Sequence, residues 1–386
     1  MPVPYLLTTL LYILVAFLAA LDAALISMGL ITPFAALRWM RVHFITLGIF
    51  SQLIFGMLPG WLASISSRSR PGMRWDIWLT LNAGLVALVA GFASVNQPMI
   101  FAGGALIFAA AALLFLHLWQ LRGSQAPASL KFYLAGAFYL LVGITIGTGL
   151  WLNWSAALLI QVPLEAHIHA NSWGFMSLVF AGLMVDFVPL LTGRPLGSGR
   201  DLAIIFWGMT LGAFGLVLGP WLGGSLPPTI AGLVLHLAAT LWLVVRMAQA
   251  LRAGGMLKSP GAWHLLLSYV WILTPVLVAP LILLKLLQGG PVEATAPQAL
   301  IYGWVLQFAI ALIPVIARRF ILKEETAQLG GCWGSLAAAN LGSLLVWVSI
   351  FAGAAGGILY GLGFALYAFA LVHLLLDLLK IARSGL

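Results

Sequence analysis

The chain has 386 residues, of which 63% are hydrophobic and only 7% charged, with a mean hydropathy of +1.10. That excludes a soluble globular protein, which carries about a quarter charged residues. Its single cysteine, Cys332, excludes an internal disulfide and a thiolate metal cluster. The net charge of +9 is spread between apolar runs along the whole chain rather than gathered on a polar domain, which argues against a nucleic-acid partner.

Nearly every window of about 20 residues is apolar enough to cross a bilayer. Length therefore counts helices here and not domains. Breaks at Pro, Gly and charge clusters predict an all-α integral membrane protein with twelve transmembrane helices, at 5–32, 40–62, 76–95, 98–121, 130–152, 164–191, 202–223, 227–251, 262–287, 296–320, 330–353 and 356–381. These form one transmembrane domain, 1–386, as a pseudo-threefold bundle whose internal repeats cover roughly 5–121, 130–251 and 262–381. The first run has no basic segment before it and no small-residue cleavage site, so it reads as a spanning helix and not a signal peptide.

The connecting segments alternate in charge. Those after even-numbered helices carry Arg68, Arg70 and Arg74; Arg122 and Lys131; Arg194 and Arg200; Arg246, Arg252 and Lys258; and Arg318, Arg319 and Lys323, with Lys380 and Arg383 near the C-terminus. Those after odd-numbered helices, such as 153–163, 221–228 and 288–297, are nearly free of base. By the positive-inside rule both termini are cytoplasmic; the expected location is a bacterial plasma membrane. Asp201, Glu324 and Glu325 are then solvated loop charges. Trp39, Trp61, Trp75, Trp151, Trp154 and Trp221 fall at segment ends, as in an aromatic belt.

One pattern recurs three times. His43 with Gly48 and Gly56 matches His169 with Gly174 and Gly182, and matches Gln298 with Gly303 and Ala311 in a degraded form. The three copies open helices two, six and ten at their outer ends. Histidine in a membrane is costly without a partner and marks a functional site by default. The imidazoles of His43 and His169 are expected to converge on one pocket. The glycines permit close helix approach, or leave room for a flat cofactor.

Around this pattern lie further polar residues. On a helix Glu165 and His169 share a face, so that either Glu165 accepts from the His169 ring N–H and orients the other nitrogen toward a metal, or the two belong to an interfacial hydrogen-bonded cluster without one. His167 points elsewhere, and His236, inside helix eight, is either a further ligand or bonded to a neighbouring carbonyl. The candidate metal ligands are thus His43, His167, His169, Glu165 and His236. Arg38 and Arg41 break the charge rule just before His43, and either snorkel to the interface or pair with an anion such as a heme propionate. His117, His373 and His264 read as interfacial or structural. Asp22 and Asp186 are membrane-embedded carboxylates with no ordered polar chain between them. There is no Walker loop, dinucleotide fingerprint or triad spacing.

Taken together, Arg41-Val42-His43 with Gly48, Gln52 and Gly56, Ala166-His167-Ile168-His169 with Gly174-Phe175, the run from Val188 to Leu196, Phe206-Trp207, and the likeness of Leu267-Ser268-Tyr269-Val270-Trp271 to Ala135-Gly136-Ala137-Phe138-Tyr139 resemble subunit I of the heme-copper oxidases. The resemblance is to short stand-alone members near the C-type oxidases and to the NnrS family of heme- and copper-containing membrane proteins. It covers the whole chain in layout, and its motifs are moderately specific. It implies a b-type heme, or copper or another transition metal, and association with other respiratory subunits. It also implies a role in electron transfer or in the response to nitric oxide and redox stress. Helix seven, however, has no histidine, and helix ten carries Gln298 where the family has histidine. A complete terminal oxidase is therefore not expected; any enzyme activity would be that of a related oxidoreductase. A reading from another class is a multi-pass transporter or channel-like protein without a redox cofactor.

Overall fold

The computed structural model describes residues 1–32, 35–66, 68–69, 71–324 and 328–384, with the side chains of 35–38 and 283 outside that set. Arg70 and Glu325, two of the loop charges, lie outside the described residues. Among those residues the secondary structure is helical, with no strand. Eleven helices among the described residues are long and apolar enough to cross a membrane, and a twelfth apolar helix there has 17 residues. The protein is an integral membrane helical bundle.

The helices are α1 (Val3–Ser27), α2 (Trp39–Ile65), α3 (Trp75–Ser94), α4 (Gln97–Gln120), α5 (Leu130–Leu152), α6 (Pro163–Thr192), α7 (Gly199–Trp221), α8 (Leu226–Ala253), α9 (Pro260–Ile282), α10 (Gly289–Leu322), α11 (Trp333–Ser349) and α12 (Gly353–Ser384). Most boundaries follow local chemistry. Asn96 caps α4 by accepting from the Met99 amide, and Ser198 and Asp201 form a capping box at the start of α7. The largest departure from the expected segments is at α10. It begins at Gly289, so that most of the stretch 288–297, read above as a loop, is helix. Pro291 is harmless there, because the first-turn amides of a helix have no partner to lose.

The chain divides into two compact units, described separately. One comprises Val3–Ile54 and Gly255–Leu386 (α1, the first part of α2, and α9 to α12); the other is Phe55–Gly254 (the rest of α2, and α3 to α8). In the first unit α12 packs on both α1 and α11, and α10 packs on α9 and α11. In the second, α3 pairs with α4, α7 with α8, and α6 packs on α5 and α7. Lipid tails are as apolar as leucine, so these contacts rest on close packing by small residues rather than on expulsion of water.

The three repeat copies have a common local structure. Each of α2, α6 and α10 is interrupted near its start by a π-helical stretch, at Phe44–Ser51, Ala170–Met176 and Ile301–Val305; a further one, Arg318–Leu322, ends α10. Each stretch contains the repeat glycine, and an aromatic side chain from the preceding helix lies on it: Tyr12 on Gly48, Tyr139 on Gly174 and Trp271 on Gly303. In each stretch a carbonyl accepts a side-chain hydrogen bond. Ser51 Oγ donates to the Thr46 carbonyl (3.0 Å), His236 Nε2 to Trp173 (3.0 Å) and Gln307 Nε2 to Gly303. A π-turn loosens the regular ladder and leaves such carbonyls available. These three helices are also the most enclosed: 100%, 78% and 72% of the apolar windows of α10, α2 and α6 are buried, against at most 44% for any other span.

Candidate functional site

Polar side chains gather at the start of α6, in the second unit. Gly143 and Gly147, one turn apart on α5, have no Cβ where Asn171 and His167, one turn apart on α6, press in. His167 Nδ1 lies 2.8 Å from the Gly143 carbonyl, and the Asn171 amide donates to the His167 carbonyl at 2.9 Å. The pair Gly143-x-x-x-Gly147 is a small-residue signature that the sequence reading did not use.

His169 turns to α7, where its Nδ1 lies 2.6 Å from the Leu216 carbonyl. The helical donor to that carbonyl would be the amide of residue 220, and Pro220 has none. The ring N–H offered by helical spacing to Glu165 therefore goes instead to an acceptor created by Pro220. Glu165 itself is half-buried in the first turn of α6.

His236, buried on α8, uses both ring nitrogens within the protein. Nε2 donates to the Trp173 carbonyl, Thr240 Oγ1 is 3.1 Å from Nδ1, and the ring packs edge-on to Trp173 at 5.2 Å. In the first unit His43 Nδ1 is 2.7 Å from the Trp39 carbonyl. A carbonyl can only accept, so His43, His167 and His169 each carry the proton on Nδ1 and the lone pair on Nε2. In His236 the assignment is reversed. Among the described residues no three His, Cys, Asp or Glu side chains come together as a donor set for a metal ion.

Arg41 pairs with Asp22 of α1 at 3.0 Å, with side chains only 7% and 18% exposed. Its guanidinium carbon lies 5.7 Å from the centre of the Phe364 ring of α12. The Tyr302 ring of α10 packs on Phe364 (5.1 Å) and on Tyr367 (4.6 Å). Three buried polar atoms in this region have no hydrogen-bond partner: Arg41 Nε, Tyr302 Oη and Gln298 Oε1, the last one turn before Tyr302. Each such atom costs about 1–3 kcal/mol. Arg38 lies in the helix leading into α2, and its side chain is outside the described set.

Of the two alternatives the sequence left for His264, interfacial or structural, the second holds: it is fully buried in the first unit. Its Nδ1 is 3.2 Å from Gln307 Oε1 and its Nε2 3.0 Å from Ser335 Oγ. Asn340 Nδ2 also donates to Gln307 (3.0 Å), and the Trp271 indole donates to Asn340 (2.9 Å). Every side chain in this network has a partner. In the second unit Asp186 Oδ2 accepts from the Trp61 indole (2.9 Å) and the Tyr133 hydroxyl (2.7 Å), tying α2, α5 and α6. His117 lies beside Arg74 (3.3 Å), and His373 beside Cys332 Sγ (3.7 Å).

The chain matches no protein-family model, and no curated protein shows significant similarity to it.

Proposed function

We propose that the protein is a membrane-integral heme-binding protein of the heme-copper oxidase subunit I-like type, acting in electron transfer or in a nitric oxide or redox response. The observation that carries this reading is the common tautomer of His43 and His169, each with Nδ1–H held by a backbone carbonyl and the lone pair on Nε2. That is how a protein prepares an imidazole to ligate iron. The donor set fits a heme, which asks for one or two protein atoms. It does not fit a copper centre with three imidazoles, since no such group forms among the described residues.

Heme, held by these imidazoles, would supply one-electron redox chemistry and affinity for a small diatomic ligand. The protein's own part is to fix the imidazoles. Leu216, stripped of its helical donor by Pro220, aligns His169, and the Trp39 carbonyl aligns His43. Asp22 supplies Arg41 with an internal counter-charge, so no propionate is needed to account for a base at this position. The absence of histidine from α7 and the presence of Gln298 on α10 argue against complete oxygen or nitric oxide reduction by this chain alone.

A transporter without a redox cofactor is favoured by a different observation: the π-helical interruptions in α2, α6 and α10, since carriers bind substrates at broken helices. One experiment separates the two. Purified protein is expected to show a Soret band that shifts on dithionite reduction. His43→Ala and His169→Ala should lose most of the heme, whereas His117→Ala keeps it. A colourless wild type selects the transporter reading, and equal heme in all three variants refutes the assignment of the ligands.

A further inference from the structure

We propose that the Arg41 cluster in the first unit is a binding site for a small monovalent oxyanion, taken up together with one proton on Asp22. The proposal is independent of the heme reading and uses none of its ligands.

Three polar side chains, each at least nine-tenths buried, carry an unpartnered atom in this region: Arg41 (6% exposed), Gln298 (8%) and Tyr302 (0%). Arg41 Nε–H and the Tyr302 hydroxyl are donors, and the amide of Gln298 can turn its NH₂ end inward to become a third. The Phe364 ring holds the guanidinium and the Tyr302 ring on its surface, which brings the two donors into one neighbourhood. Native proteins rarely bury several unpaired polar atoms together, and a missing small partner is the ordinary explanation. A set dominated by donors, with a guanidinium at its centre, calls for an acceptor with two or more oxygens: a carboxylate or another planar oxyanion.

Charge fixes the stoichiometry. A guanidinium cannot shed its proton in a protein, so Arg41 needs one negative charge, and Asp22 supplies it. An anion added to that neutral pair would leave a net negative charge in a low-dielectric site, which is costly. Protonation of Asp22 removes the cost, and the anion takes over the guanidinium. The other groups facing the pair do not provide this charge. Among the described residues, the groups packed about Phe364 on α12 and α10 are the phenols of Tyr302, Tyr360 and Tyr367. His43, on α2 itself, is turned to the Trp39 carbonyl, and Glu293 on α10 is exposed.

Equilibrium dialysis of radiolabelled formate against the purified full-length protein in detergent tests this. Formate should bind, and its affinity should rise about tenfold for each unit that pH falls, one proton accompanying each anion. Asp22→Asn should bind formate at least as tightly and lose the pH dependence, because its guanidinium then has no internal counter-charge. Tyr302→Phe and Gln298→Ala, which keep the ion pair, should each weaken binding several-fold, and Arg41→Gln should abolish it. Absence of formate binding between about pH 5 and pH 8 would overturn the proposal. So would pH-independent binding by the wild type, or wild-type affinity in Tyr302→Phe.

Discussion

Gly174→Ala tests whether the repeat glycines exist to seat an aromatic ring. An alanine Cβ at this position would lie 2.6 Å from the Cβ and Cδ1 of Tyr139. Carbon atoms rest comfortably at about 3.5–4.0 Å, so α5 and α6 would have to separate by about 1 Å. A change of rotamer gives no relief, since the Tyr139 Cβ is fixed to the α5 backbone. Movement would also pull the Tyr139 hydroxyl from the Thr210 carbonyl, which it meets at 2.8 Å. Overpacking of this kind costs about 1–3 kcal/mol, and the hydrogen bond adds about 1 kcal/mol. Against this stands a gain of up to about 1 kcal/mol from replacing glycine by alanine in a helix. The net expectation is a loss of about 1–3 kcal/mol, read as a lower midpoint in thermal unfolding followed by tryptophan fluorescence. Gly60→Ala, on α2 with nothing within 4 Å of its added Cβ, should unfold at or above the wild-type midpoint. If Gly174→Ala unfolds no earlier than Gly60→Ala, close packing against Tyr139 is not what the glycine is for, and room for a bound group regains its place.

Two further outcomes follow from the geometry. Tyr133→Phe and Trp61→Phe should each lower stability by about 1.5–3 kcal/mol, the usual worth of a hydrogen bond to a charged group; unchanged unfolding in both would show that Asp186 does not depend on them. For orientation, in a Cys332→Ser background, Arg68→Cys should be shielded from an impermeant maleimide added outside the cell and Gln161→Cys labelled; the opposite pattern would invert the topology.

What the sequence made legible is local or periodic. The apolar runs mark the spans to within a few residues over most of the chain, and α5, expected at 130–152, is Leu130–Leu152. The repeat was visible as histidine and glycine spacing, but that Tyr139 and Trp271, matched in the likeness of segments five and nine, lie on the repeat glycines was not. What could not be read is the choice of partner. His169 answers to Pro220 on the following helix, 51 positions away in a rule that helical spacing does not contain. Arg41 and Asp22 are 19 residues apart, with a turn of chain between them, and nothing in their neighbours announces the pair. His264, near a helix start, could be read as either interfacial or structural, and the sequence does not choose between them. It is buried because Gln307 and Ser335, from two other helices, meet both of its nitrogens. The start of α10 was missed for a simpler reason: two prolines and two glycines read as a loop, although proline in a first turn is compatible with helix.

The first unit contains two buried polar clusters, and their difference bears on which is scaffold. In the His264 network donors and acceptors are matched across α9, α10 and α11: imidazole to amide, imidazole to hydroxyl, amide to amide, indole to amide. A network satisfied in this way stiffens the helices that share it and has no capacity left for a ligand. The Arg41 cluster has the same depth of burial but leaves donors on two helices unused. In a membrane, where water does not compensate such atoms freely, three of them would cost several times about 1–3 kcal/mol with nothing gained in return. An unpaired buried atom occurs elsewhere in this unit too, on Tyr269, so what singles out the Arg41 cluster is the charge within it: a buried guanidinium with an unused Nε–H beside an unused phenol calls for an oxygen acceptor, which a neutral phenol alone does not.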